Sequence, residues 1–222
     1  VFSWNEDMRS RFEELMEQAR VLERLGYDSI TKGSHFSTYP HREMMQVPYL
    51  SRVMAEAPSL RLNAGIVLLS LHNTLEVADY FATMDLMSGG KMIFGCALGY
   101  RDVEYRGFGV KKGEGVKRFE ENLEAIKKLL TGESIDMIGS HFELAGARIS
   151  VPLVQTPRPP IWMGANVDKA VKRAARLADC WYLNPHQKFE TLRRQMEIYR
   201  SELDRLGKTF PEELPIRREG FC

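Results

Sequence analysis

The chain has 222 residues, with 31 Lys plus Arg against 30 Asp plus Glu for a formal charge of +1, and 44% hydrophobic and 27% charged residues. The basic residues are scattered rather than blocked, which excludes the electrostatic footprint of nucleic-acid or acidic-membrane binding and points to a small-molecule partner. The most apolar run, Ala64 to Leu71, has eight residues against the roughly 20 that cross a bilayer, so no membrane span is expected.

The opening Val1-Phe2-Ser3-Trp4-Asn5-Glu6-Asp7 lacks the basic segment and apolar core of a signal peptide, and begins on Val rather than Met as a trimmed chain would. A cytoplasmic location is expected. The three cysteines, Cys96, Cys180 and Cys222, are far apart and show no CxxC spacing. They read as free thiols in a reducing compartment, the first two buried in apolar runs.

Residues 6–25 place Phe12, Leu15, Met16, Ala19, Leu22 and Leu25 on one stripe before Gly26, which predicts a helix with a glycine stop. A short strand is expected over 27–32, and Pro48 opens a second helix through Ala57. The alternation continues with a strand at 61–69, a helix at 74–87 closed by Gly89-Gly90, a strand at 91–98 and a helix at 116–130. Residues 134–160 interrupt it with a small hairpin, Ile135 to Ile138 and Phe142 to Leu144 about a Gly139-Ser140 turn, and a Pro-rich connector. A strand at 160–163, a helix at 167–178, a strand at 180–183, a helix at 189–206 and a last strand at 214–222 complete the pattern.

Strands apolar on nearly every position, each followed by an amphipathic helix, are buried on both faces and belong to a parallel sheet. The class is α/β, a single domain over 1–222 with an excursion at 134–160. Six strands and six helices fall short of the eight of each in a closed (β/α)8 barrel.

Ligand sites of parallel α/β folds form beyond the carboxyl ends of the strands. His35, His72 and His186 fall just past strand ends, whereas His41 and His141 do not. For these three a structural role stands beside acid–base, ligand-orienting or metal-binding roles. Neither HxH nor HExxH spacing occurs, so no metal site is expected, and no GxSxG elbow supports hydrolysis.

Gly164-Ala165-Asn166 follows an apolar strand and opens a helix, with Asn166 as the expected N-cap. Exposed first-turn amides and the helix dipole there suit a phosphate, although small residues also simply permit a tight turn. Gly99-Tyr100 is a similar turn. Ala64-Gly65 inside a strand marks a bulge, a close ligand or a packing need. No GxGxxG follows a strand and no Walker loop exists, so no nicotinamide site is encoded.

Taken as an ordered set, Leu62 to Asn73, Met87-Ser88-Gly89-Gly90-Lys91, Phe94 to Tyr100, Tyr105 to Gly109, Gly33-Ser34-His35-Phe36 and Pro157 to Asn166 followed by Ala174 to Asp179 resemble the bacterial luciferase-like flavin monooxygenases. The resemblance covers roughly residues 10–220. It implies a TIM barrel of which this chain supplies the first helix through the seventh strand, without the first strand and the last βα unit. It also implies reduced FMN at the strand ends, reacting with dioxygen to oxygenate a small organic substrate.

In that resemblance His35 is the catalytic acid–base or peroxide-stabilising residue near the reactive flavin edge. Ala64 and Gly65 match the bulge or non-prolyl cis peptide beneath the ring system, and Gly164, Ala165 and Asn166 the phosphate turn. Leu98, beside Gly99 and Tyr100 on the cofactor side, stands where luciferase has a phosphate-contacting arginine, so backbone amides would carry more of that contact. With no nicotinamide fingerprint, a separate flavin reductase would supply reduced flavin. A homodimer is expected from the family. An 8-hydroxy-5-deazaflavin coenzyme with hydride transfer, or a non-catalytic flavin-binding remnant, are the alternatives, and the loops 36–47, 100–116 and 134–156 would set specificity.

Overall fold

The computed structural model describes residues 3, 5–184, 186–212 and 214–215. Helix α1 (Met8–Arg24) starts where the Asp7 carboxylate accepts the Arg9 N–H at 3.0 Å, an N-cap that satisfies one of the amides a helix start leaves open. Strand β1 (Ser29–Lys32) follows, then α2 (Gln46–Glu56). The expected start at Pro48 is corrected to Gln46, which puts Pro48 in the first turn, where its missing N–H is not needed by the helical ladder.

β2 (Arg61–Leu68) leads through a 3-10 turn at Leu69–Leu71 into α3 (Thr74–Met87), whose Asn73 cap accepts the amides of Leu75 and Glu76. β3 (Met92–Ala97) is buried at every position, as a central strand covered on both faces must be. A short helix α4 (Asp102–Gly107), not expected from the sequence, precedes α5 (Gly115–Leu129). β4 (Ile135–Ile138) and β5 (Glu143–Ala147) form the antiparallel hairpin of the excursion. β6 (Ile161–Gly164), α6 (Asp168–Leu177), β7 (Cys180–Tyr182) and α7 (Phe189–Arg205) complete the described chain.

The main sheet has the order β1-β2-β3-β6-β7, with every neighbouring pair parallel. The expected α/β class and the hairpin stand as predicted. The expected last strand at 214–222 lies almost wholly outside the described residues, although the Leu183 N–H donates to Pro215 O at 3.1 Å. The main core joins the helices to the outer face of this sheet through Leu50, Val53, Phe81, Phe94, Phe119, Leu123 and Trp181. A separate cluster of Ile93, Trp162, Cys180 and Tyr182 belongs to the other face. Cys96 and Cys180 are both buried and outside any disulfide among the described residues, and burial pushes the Cys96 thiol far above its ordinary range.

β2 carries an irregularity: its register against β3 shifts between Ala64 and Val67, and the Gly65–Ile66 peptide bond is cis. The glycines here answer to strand packing. A Cβ on Gly95 of β3 would lie 2.6 Å from Ala64 O and 2.8 Å from Gly65 Cα, so only glycine lets the two backbones approach this closely. No helix among the described residues is long and apolar enough to cross a membrane.

Candidate active site

β1 delivers the chain to the rim at Lys32, whose carbonyl accepts Gln46 Nε2 at 2.6 Å and whose ammonium pairs with Glu43 at 2.8 Å. Gly33 and the buried Ser34 then lead to His35. The imidazole is partly exposed, and its Nδ1 meets Glu104 Oε1 at 2.9 Å. Glu104, in α4, is buried, and the same Oε1 accepts the Phe36 N–H at 3.0 Å and Arg101 Nη1 at 3.3 Å. Arg101 also donates to Phe36 O at 2.7 Å and Ser37 O at 3.0 Å. The Tyr100 ring, 68% exposed, stands edge-on to His35 at 5.7 Å between centroids.

The neighbouring turns join this group. A Cβ on Gly33 would lie 3.8 Å from Gly65 O, and one on Gly164 would touch Ala97 Cβ and Ile66 Cγ2 at 3.5 Å. The His35 loop, the β2 irregularity and the end of β6 are therefore contiguous along one end of the sheet. Gly99 turns with φ +80° against Leu68, and Leu98 O is taken by Ser70 Oγ at 2.5 Å and Tyr105 OH at 3.0 Å. Leu98 thus offers its backbone to a buried hydroxyl pair.

At the β6–α6 turn the expected cap is corrected. Val167, not Asn166, is the N-cap of α6, with no side-chain cap bond. The reason lies in the carbonyls: Val167 O receives the amides of Ala170 and Val171, while Asn166 O is taken by Gln187 Nε2 and Gln195 Nε2. Ala165 O accepts Trp181 Nε1 at 3.0 Å. Side-chain donors thus hold both turn carbonyls, and the amides before Ala170 stand outside the helical ladder. Asp168 in that first turn is held by both Arg194 nitrogens. Those bonds keep its carboxyl below the ordinary range despite the opposing effect of burial.

The three rim histidines have different surroundings. His72 joins Phe36 and Phe108 in a three-ring cluster, with centroids 4.7 to 5.6 Å apart. Burial lowers its pKa, against the smaller opposing field of Glu76, so it is neutral at pH 7. His186 stands exposed on the β7–α7 connection, its N–H on Asn184 Oδ1. Reading along the sequence missed Glu104 and Arg101. The available signal was positional: they are an i, i+3 acid–base pair directly beyond a strand end.

The sequence model of the luciferase-like monooxygenases matches residues 2–216. The chain belongs to that family. This luciferase-like chain is 26% identical over 168 residues to the uncharacterized protein y4wF of Sinorhizobium fredii (strain NBRC 101917 / NGR234), covering 76% of this chain and 49% of that protein. It is likewise 26% identical over 181 residues to y4vJ of the same organism, covering 80% and 51%. The chain thus spans about half the length of the curated relatives it matches.

Solved structures with the same fold include the monooxygenase RslO1 from Streptomyces bottropensis, at TM-score 0.84 and 24% identity, covering 92% of this chain and 63% of that one. The oxygenating constituent of 3,6-diketocamphane monooxygenase from the CAM plasmid of Pseudomonas putida, in complex with FMN, aligns at TM-score 0.82 and 14% identity over 94% and 61%. An F420-dependent secondary alcohol dehydrogenase aligns at 0.81 and 18% over 93% and 64%. The fold of the luciferase-like chain is therefore of the TIM-barrel type, with five parallel strands among the described residues.

Proposed function

We propose that the protein is a flavin-dependent oxidoreductase that works as a monooxygenase, using reduced FMN and dioxygen on a small organic substrate. One observation carries this reading: a partly exposed imidazole, fixed at Nδ1 by a buried carboxylate, shares a rim with the β2 irregularity and the first turn of α6.

The residues present fit a phosphorylated flavin on two counts. His35 Nε2 has no hydrogen-bond partner among the described residues, so it is available to a bound group. The α6 turn has its carbonyls occupied and its first amides open, which suits a phosphate; the Asp168 charge at that helix start is offset by Arg194. Reduced FMN, when bound, supplies the electrons with which dioxygen is activated. His35 would hold or move a proton at Nε2, and Tyr100 would wall the imidazole from water on one side. Ala64, Gly65, Leu98 and Gly99 would border the ring system, and Gly164, Ala165 and Asn166 would carry the phosphate end. A separate reductase would deliver the reduced flavin, and a second copy of the chain would complete a dimer in the reducing cytoplasm that buried thiols outside any disulfide suit.

A second reading, hydride transfer with a deazaflavin, draws support from the nearly equal likeness to the F420-dependent alcohol dehydrogenase. Anaerobic titration separates the two. Saturable binding of reduced FMN followed by oxygen consumption above that of free flavin is expected. Selective binding of the deazaflavin would replace the first reading by the second, and flavin binding without enhanced oxygen consumption would leave a binding module. His35→Ala should retain FMN binding and lose the enhancement.

A further inference from the structure

Among the described residues, Glu104 is the buried carboxylate that touches the His35 imidazole, and its bonding pattern orders the donors around it. The Phe36 N–H can only donate, and so can Arg101; Oε1 therefore acts as an acceptor from both. A proton on Oε2 would find no acceptor among the described residues, where that oxygen is buried and without a partner. The guanidinium and the amide that share Oε1 favour the ionised carboxylate, to which both make charge-assisted bonds. The carboxylate is thus the acceptor for His35 Nδ1 as well, at 2.9 Å.

We infer that Glu104 is a positioning residue that fixes His35 as its Nδ1–H tautomer and turns Nε2, lone pair outward, toward the group bound at the rim. This rests on the proposed flavin reading for its use but not for its truth. Arg101 serves the same end: its bonds to Phe36 O and Ser37 O fasten the loop that follows His35 to the start of α4. The imidazole and the backbone that follows it are thereby held by the same two side chains. A neutral imidazole left to itself favours the opposite tautomer, with the proton on Nε2, so the carboxylate must supply the bias. The consequence for chemistry is directional. At pH values where the ring is neutral, His35 accepts a proton or hydrogen bond from the bound group, and donates only after it has first been protonated there.

The test uses the full chain without cofactor. Ring 15N shifts from a 15N-histidine-labelled sample above pH 8, assigned through His35→Gln, should show a protonated Nδ1 and an unprotonated Nε2. A protonated Nε2 in the native chain would overturn the inference, whatever the protein binds. Glu104→Ala should move His35 toward the Nε2–H form. Glu104→Gln keeps an acceptor oxygen for Nδ1 and Phe36 N–H and should leave the tautomer in place if Glu104→Ala does not fold; inversion of the tautomer in the Gln variant would also count against it. With reduced FMN added, Glu104→Ala should keep FMN affinity within about threefold while slowing oxygen consumption by about 10²-fold, the usual span of a lost acid–base contribution, and Glu104→Gln, which keeps the tautomer, should restore most of that rate. A native Nδ1–H tautomer with no flavin binding would sink the functional reading and leave the positioning role standing.

Discussion

The hydroxyls of Thr31 and Tyr182 meet at 3.4 Å, although their strands, β1 and β7, are the outermost pair in the five-strand order. In a flat sheet four strand spacings would hold them about 19 Å apart. The sheet is therefore rolled, and the side chains of its inner face converge as they do in a barrel wall. Tyr182→Phe should cost about 0.5–1.5 kcal/mol in urea unfolding, the worth of a hydrogen bond. Tyr182→Ala should cost about 3–5 kcal/mol by emptying the space beside Trp162. Equal costs for the two would argue against a packed inner face.

The approach of β2 to β3 makes a second prediction. Gly95→Ala forces a methyl against the backbone oxygen of Ala64, which cannot swing away. Gly65→Ala meets the amide end of Asn63, which can. The first substitution should destabilise by about 1–3 kcal/mol and the second by less; denaturation midpoints of the two variants, compared at constant slope, check the ranking.

Much of the layout is legible in the chain itself. Apolar runs such as Met92 to Ala97 announce buried strands, and the stripe from Phe12 to Leu22 announces α1, because periodicity is a local property. Six residues are too few to show a helical period, so α4 went unseen, and with it Glu104. That residue reaches His35 across 69 positions, a meeting created by stacking the connections after β1 and β3. The start of α6 was misplaced by one residue for a similar reason: Gln187 and Gln195, far along the chain, decide which carbonyl is left to begin the helix.

Acid should weaken the fold through two groups. Burial pushes the Asp179 carboxyl up, but the Arg158 bonds and the Ile161 N–H outweigh it and hold the group below its ordinary 3.8. Its contribution is full above about pH 4 and is lost as pH falls through the folded value. The stability gap between native protein and Asp179→Asn should accordingly be wide at pH 7 and narrow at pH 3.

His72 acts at milder pH. Its folded pKa lies below the ordinary 6.5, so the unfolded chain takes up the proton first as pH drops. Stability present above about pH 6.5 declines beneath it, and His72→Gln should flatten the profile between about pH 7 and 5. An unchanged slope would place the titrating group elsewhere.

Arg194→Ala would remove the cation paired with Asp168 at the start of α6, leaving Gln195 as its remaining side-chain hydrogen-bond donor among the described residues. If a phosphate is held there, FMN affinity should fall by about fivefold, a helix-terminus charge being worth about 1 kcal/mol, while riboflavin affinity stays level. Parallel losses for both ligands would move the phosphate to another place.

The buried Asp85 carboxylate accepts the backbone amides of Val154 and Gln155 and the Gln155 side chain, which also reaches Met92 O. The return leg of the excursion is thus buckled to the base of α3 and to β3, well away from its own hairpin tip. Evolution could redraw that tip freely for a new guest molecule while the buckle keeps the strap taut, so relatives should diverge in length around residue 139 far more readily than around residue 155.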